Sequence, residues 1–311
     1  MATFSRLVTM PNFLIIGAQM AGITSTYRYL GEHPEVYMSP MKGTRFFACE
    51  GLKIGYFRGP EDEEVMSRGT ITDLGEYQAH FAGFSGERAV GEASPIYLYS
   101  PRAAGRIRHY IPDAKLIALL RNPVDRAYSA YLLMVGYGRE RLGFRDALEA
   151  EAGRIEDRWH PIWHYRNRGF YHPQLGRYYE LFGQDQLRVY LYEDLSADPL
   201  GTMQSIFGFL GVDETFMPDT SRWHERSGFP RNRALHAFFE RPNPLKRILK
   251  PFLPEKLRNR ISANLRNHTL TDPPPLPEDA REELTESYRD DVLRLQRLIG
   301  RDLSGWLRKE A

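Results

Sequence analysis

Apolar positions along the chain fall into a few short unbroken runs, set between longer stretches with helical spacing. Residues 13–16 (Phe-Leu-Ile-Ile) are wholly apolar and bounded by a glycine. Residues 115–121 (Lys-Leu-Ile-Ala-Leu-Leu-Arg) are apolar between their charged ends, and 187–192 (Leu-Arg-Val-Tyr-Leu-Tyr) is apolar apart from Arg188. Runs of this length read as buried strands. A short strand is predicted at 36–38, after His33-Pro34 ends the first helix, and another at 89–98, leaving through a turn at Pro95. Between these runs the spacing predicts helices: one opening at Thr24 or Ser25, then 77–81, 102–110, one carrying Asp125 to Tyr131, and 171–182 with an aromatic stripe. Two more are predicted at 203–210, closed by Gly211, and roughly 278–299, closed by Gly300. The charged stretch 139–168 reads as helices covering a sheet. Strands alternating with helices predict an α/β fold whose parallel sheet is covered on both faces. No internal repeat is present.

The turn after the first strand carries the first chemistry. Gly17-Ala18-Gln19-Met20-Ala21-Gly22-Ile23-Thr24-Ser25 joins a buried strand to a helix N-terminus. Free backbone N–H groups and the helix dipole favour an anion there, and glycine lets the backbone approach it closely. The same stretch also reads as an ordinary βα turn. A Walker A loop would need lysine where Ile23 stands, so a nucleoside triphosphatase is disfavoured, as is a nucleotide kinase.

A second element sits at the end of the 115–121 strand. Arg121 lies at its carboxyl end, and Ser129 follows eight residues later on the next helix. Open α/β sheets bind ligands at the carboxyl ends of strands, near a change of strand order. A guanidinium fork and a hydroxyl suit a phosphate monoester. Two anion elements in one crevice imply a ligand with two separated phosphate-like groups; a triphosphate would need only one.

Composition narrows the class. The 311 residues are 42% hydrophobic with a formal charge of +2, too balanced for a general nucleic-acid binder. One cysteine, Cys49, excludes an internal disulfide framework and reads as a small buried hydrophobe. No signal peptide and no apolar run near the ~20 residues of a membrane span is present, so a cytoplasmic location is expected. The chain reads as one domain, 1–311, with a basic, proline-rich segment at 241–275 and a C-terminal helix, 278–307, packing back on it. The basic segment is a solvated face or a surface for an acidic acceptor or membrane.

Taken together, these motifs resemble the sulfotransferase family, in the branch shared by bacterial enzymes and Golgi glycan sulfotransferases. The residues concerned are Gly17 to Leu30, His33-Pro34-Glu35-Val36, Lys42 through Phe46-Phe47, Gly91-Glu92-x-Ser94-Pro95-x-Tyr97, and Leu119-Leu120-Arg121-Asn122-Pro123 to Ser129. The likeness continues through Gly169-x-Tyr171-x3-Leu175, Tyr192-Glu193-Asp194-Leu195 and Phe207-x-Phe209-Leu210-Gly211, and ends at Gly300-Arg301-Asp302-Leu303-x-x-Trp306. It implies a P-loop-like three-layer fold and a donor, 3′-phosphoadenosine 5′-phosphosulfate (PAPS), released as 3′-phosphoadenosine 5′-phosphate (PAP). The loop Gln19, Met20, Ala21, Gly22, Ile23, Thr24, Ser25 would hold the 5′-phosphosulfate, and Arg121 with Ser129 the 3′-phosphate. Tyr171 would lie by the adenine, and Arg231 with Asn232 in a late loop closing over the cofactor.

The chain departs from the family pattern at the catalytic positions. Where the loop usually carries lysine and threonine, Met20 and Ile23 stand; Gly43 replaces the carboxylate that often follows Lys42, and Ala93 a lysine. Losing a charge-neutralising group costs about 10²–10³ in rate and losing a general base about 10²–10⁴. Lys42 or Arg45 could supply charge from another direction, and Glu92 could act as base or cap a turn; His164 and His172 are further candidate bases. Two functions stand: sulfuryl transfer to a hydroxyl or amine of a small-molecule, lipid or glycan acceptor, or retention of the fold as a binder of a 3′-phosphoadenosine-type or other phosphorylated ligand. The aromatic segments 128–137 and 163–171 read as core packing or as an apolar acceptor pocket.

Overall fold

The computed structural model describes residues 10–53, 55–60, 62, 69–221, 229–230, 270–271 and 274–308. Strands β1 (Phe13–Gly17), β2 (Val36–Met38), β3 (Ala89–Ala93), β4 (Lys115–Leu120) and β5 (Leu187–Leu191) form one parallel sheet in the order β2-β3-β1-β4-β5. Every residue of β1 and β3 is buried, as a sheet covered on both faces requires. A two-residue antiparallel pair, β6 (Phe229–Pro230) with β7 (Leu270–Thr271), stands apart from it.

Twelve α-helices connect and cover the sheet among the described residues. They are α1 (Ile23–Leu30), α2 (Phe46–Cys49), α3 (Leu74–Ala79), α4 (Ile96–Tyr99), α5 (Ala103–Tyr110), α6 (Pro123–Gly136), α7 (Phe144–Glu149), α8 (Glu151–Glu156), α9 (Tyr171–Tyr179), α10 (Tyr192–Ala197), α11 (Pro199–Leu210) and α12 (Glu278–Ile299). Helix α6 starts where Asn122 accepts the Val124 N–H and Pro123 takes the first position; α11 starts likewise from Asp198 and Pro199, four residues before the predicted start. Gly211 and Gly300 close α11 and α12 in the left-handed conformation. Helix α1 packs on α11, while α12 packs on α9 and α6.

Two sequence expectations change. The strand expected over 89–98 stops at Ala93, and Ile96–Tyr99 is a helical turn, because the chain after Pro95 folds under Gly17. The 139–168 stretch is only partly helical, with 3₁₀ turns at Pro161–Trp163 and Asn167–Gly169. Cys49 and His33 are buried structural residues: burial pushes the Cys49 thiol up to about 11, and the His33 ring packs between Phe207 and Phe216.

The strand order places the site. β1 stands between β3 and β4, so the chain crosses over β1 on going from β3 to β4. Parallel sheets bind ligands in a crevice at the carboxyl ends of the strands at such a point, and the loop after β1 meets the end of β4 there.

Candidate functional site

The loop leaving β1 is tied to β4 by the Ala18 N–H, which donates to the Leu119 carbonyl. It then turns through two left-handed residues, Met20 (φ 68°) and Gly22 (φ 83°). Gly22 is required twice over. A Cβ there would lie 2.7 Å from Leu195 Cδ2, and the backbone sits where side chains are strained. Gly22 is also the N-cap of α1 and offers no capping side chain, so the helix enters the crevice with its N-terminus open to an anion. Gln19, Met20, Gly22 and Thr24 are partly exposed on this rim. The side chains of Ala21, Ile23 and Ser25 are buried, so those residues can serve an anion only through their backbone N–H groups.

Arg121 closes the crevice from β4. Its Nη1 donates to the Met20 carbonyl and to Ser129 Oγ, each at 3.1 Å, and its guanidinium lies 4.5 Å from the centre of the Tyr192 ring. Tyr192 also lines the far side of Gly22. The support behind Arg121 is extensive. Tyr171 donates to the Arg121 carbonyl at 3.0 Å, and Glu193 accepts from the Asn122 N–H and from Trp306 Nε1. Arg301 pairs with Asp194 at 2.9 Å. The C-terminal motif thus braces the corner that carries Arg121.

The third wall is the segment 39–45. It is stitched to β3 by Ser39 N–H to Gly91 O and Gly43 N–H to Ala93 O, both 2.8 Å. Lys42 Nζ reaches across to Thr24 Oγ1 on the first turn of α1. An ammonium therefore stands at the helix N-terminus although the loop carries methionine. Arg45 donates its backbone N–H to Ser94 Oγ at 3.0 Å and its Nη1 to Thr70 at 2.9 Å.

Two of the residues singled out in the sequence are fully buried. Glu92 is fully buried and accepts from Tyr97 at 2.5 Å, Ser94 at 2.8 Å and Tyr77 at 3.4 Å. Burial raises its carboxyl to about 7 against the lowering by these hydroxyls. It holds the floor of the 39–45 segment and presents no atom to a substrate, so it is not placed as a base. Tyr171 is likewise fully buried, with its hydroxyl donating to the Arg121 carbonyl. His164 is buried, hydrogen-bonded to Tyr99 at 2.9 Å and held down to about 4 by burial and Arg168. The His172 backbone N–H donates to Asp291 Oδ2 at 3.2 Å. Arg231 lies outside the described residues.

Tyr192 and Arg168 were missed as site residues. Tyr192 stood in a quoted motif, whereas Arg168 gave no sequence signal beyond preceding Gly169. Arg168 is 6% exposed and donates Nη1 to Gln19 Oε1 at 2.7 Å. Among the described residues no group of three His, Cys, Asp or Glu could hold a metal, and no helix is long and apolar enough to cross a membrane.

A family model described as "Sulfotransferase family" matches residues 11–218, which includes every wall of this crevice. The chain belongs to the sulfotransferase family. A sulfotransferase from Alicyclobacillus acidocaldarius shares its fold with a TM-score of 0.75 and 38% identity, covering 96% of this chain and 100% of that one. Among curated sulfotransferases, the membrane-associated sulfotransferase kil1 of Dictyostelium discoideum is 31% identical over 40% of this chain and 23% of its own length. Mouse heparan sulfate glucosamine 3-O-sulfotransferase 6 is 24% identical over 75% of this chain and 64% of its own. Human bifunctional heparan sulfate N-deacetylase/N-sulfotransferase 3 is 25% identical over 97% of this chain and 31% of its own. The chain thus spans less than two thirds of the length of each of these three curated relatives.

Proposed function

We propose that this sulfotransferase uses PAPS as donor and transfers its sulfuryl group to a hydroxyl or amine of a small-molecule, lipid or glycan acceptor. The observation that carries the reading is the meeting of Arg121, Ser129 and the Met20 carbonyl at one corner of the crevice, beside the uncapped N-terminus of α1. The residues fit a ligand with two separated phosphate groups. Arg121 and Ser129 would hold the 3′-phosphate, and the backbone N–H groups of Ala21 to Ser25 with Lys42 the 5′ group. Bound there, the donor supplies the sulfuryl group and PAP as leaving group. The chain's own part is to orient it and to stabilise negative charge at the 5′ end, through the helix N-terminus and the Lys42 ammonium. The curated relatives named for heparan sulfate support a glycan acceptor.

A second reading, binding without transfer, is favoured by Met20 and Gly43. The Met20 side chain packs against the core, and Gly43 brings no carboxylate to the crevice. Calorimetric titration of PAP, with adenosine 5′-phosphate as control, tests the donor site first. Affinity that depends on the 3′-phosphate and is lost in Arg121→Ala supports it; equal affinity for both ligands overturns it. Incubation with PAPS and candidate acceptors, read by mass spectrometry for a sulfated product, then separates transfer from binding.

A further inference from the structure

We propose that Arg168 is the fixed cation behind the anion loop, a positioning residue that acts through Gln19 on the 5′ group of the ligand, in the role the chain gave up at Met20. The inference rests on the donor reading above.

Arg168 lies in the 3₁₀ turn Asn167–Gly169 that leads into α9. That turn is pinned against α12, since a Cβ on Gly169 would fall 2.6 Å from the Tyr288 ring. From there the guanidinium runs beneath the loop. Nη1 donates to Gln19 Oε1 at 2.7 Å and to the Pro161 carbonyl at 3.4 Å, Nη2 donates to the Pro95 carbonyl at 3.4 Å, and the Tyr99 ring lies 5.7 Å away. All these partners are neutral, and among the described residues Arg168 makes no ion pair.

The contrast with Arg154 is instructive. It is also 6% exposed, yet both its terminal nitrogens are taken by the Glu140 carboxylate, at 2.8 and 3.2 Å. Arg126, fully buried, adds positive charge near Arg168 that the buried Glu151 carboxylate offsets in part. Its Nη2 goes to the Tyr165 carbonyl, and its Nε and Nη1 have no partner. Burial first and then the Arg126 charge push the Arg168 guanidinium down to about 9, which still leaves it cationic at neutral pH.

A buried charge without a counter-charge is strongly unfavourable, and one carboxylate or ligand anion nearby relieves it. The loop that Arg168 supports is the one surface in its contact set built to receive an anion. Gln19 links the two. Its amide oxygen is fixed by the guanidinium, while the residue itself stays partly exposed on the rim. The positive field therefore reaches the 5′ end of the crevice from below, through a low-dielectric layer.

The test uses three probes on the full chain: PAP, adenosine 5′-phosphate and adenosine 3′-phosphate, titrated calorimetrically into wild type, Arg168→Met, Arg168→Lys and Gln19→Ala. Arg168→Met is expected to weaken the two 5′-phosphate ligands by about tenfold or more and leave adenosine 3′-phosphate within about twofold. Arg168→Lys should recover part of that loss, and Gln19→Ala should show the same ligand selectivity in weaker form. Equal loss for all three ligands, or none, overturns the proposal; where Arg168→Met does not fold, the Lys and Gln19 variants decide by the same pattern. A wild type that binds PAP no better than adenosine 5′-phosphate overturns the 3′-phosphate reading alone, because the 5′ ligands still report on Arg168. Binding of none of the three overturns both.

Discussion

The two ends of the crevice are built differently. At the Arg121 end, the two side chains that the sequence singled out, Arg121 and Ser129, meet at 3.1 Å. They are braced by Tyr171, Glu193, Trp306 and the Arg301–Asp194 pair. At the loop end, methionine and glycine occupy the positions that usually carry a lysine and a carboxylate. Positive charge arrives instead from Lys42 on the 39–45 segment and from Arg168 beneath Gln19. One end is specified by residue identity, the other by backbone geometry and charge drawn from elsewhere. A helix N-terminus binds anions through groups every residue has, so its side chains can change while a guanidinium clamp at Arg121 cannot.

The largest expected effect comes from the floor of the loop end. Glu92 is raised to about 7 from its ordinary 4.5, chiefly by burial. For an acid with a raised folded pKa, the folded state holds the proton more tightly, so stability is greatest below the unfolded value and falls as pH rises from about 4.5 to 7. The loss is about 3 kcal/mol. Denaturant unfolding across that window should show the decline in wild type and a flatter profile in Glu92→Gln. Identical profiles would mean that Glu92 does not titrate in the fold.

Next in size is Arg121→Ala, which removes a charge-assisted hydrogen-bond set of about 1.5–3 kcal/mol. PAP affinity should fall roughly 10- to 100-fold, with adenosine 5′-phosphate affinity little changed. A uniform loss for both ligands would erase the distinction between the two ends.

Gly43→Glu sharpens the loop end. No atom lies within 4 Å of a Cβ at Gly43, so the side chain has room, but φ is +85°. Thermal unfolding should show a cost of about 1–2 kcal/mol from the left-handed backbone. A variant as stable as wild type would show that this turn relaxes freely.

Smallest is Met20→Lys. The residue already adopts φ 68°, so the substitution adds no new backbone demand, and Lys42 already stands at the helix N-terminus. Single-turnover transfer from PAPS, once an acceptor is found, should improve by less than about tenfold. A gain of 10² or more would show that Lys42 and Arg168 do not compensate.

Much of this architecture was legible beforehand. The strands at 13–16 and 115–121 follow from apolar runs, because a sheet covered on both faces leaves no polar face to alternate with, while the edge strand at 187–192 tolerates the exposed Arg188 within its run. Glycine after α11 and α12 marked their ends correctly, since few other residues take a left-handed C-terminal position without strain. Arg121 and Ser129 were readable as partners because a strand end and the second turn of the next helix are fixed relative to each other. The turn at Ile96–Tyr99 escaped because it is decided by packing under Gly17 rather than by local pattern. Glu92 stayed open between base and cap because a strand-end carboxylate looks the same in sequence whether it faces a crevice or a cage of hydroxyls.

By itself, then, the sequence determined the apolar runs that become strands, the loop after the first of them and the Arg121–Ser129 spacing, all patterns that span about a dozen residues or fewer, whereas the strand pairing joins positions as far apart as Phe13 and Lys115. Only the tertiary structure decided that Lys42 meets Thr24 eighteen positions away, that Arg168 lies under Gln19 across 149, and that Glu92 and Tyr171 support the crevice from behind. The physical reason is range. Periodicity and capping act along the chain, whereas the placement of a charge depends on what folds against it.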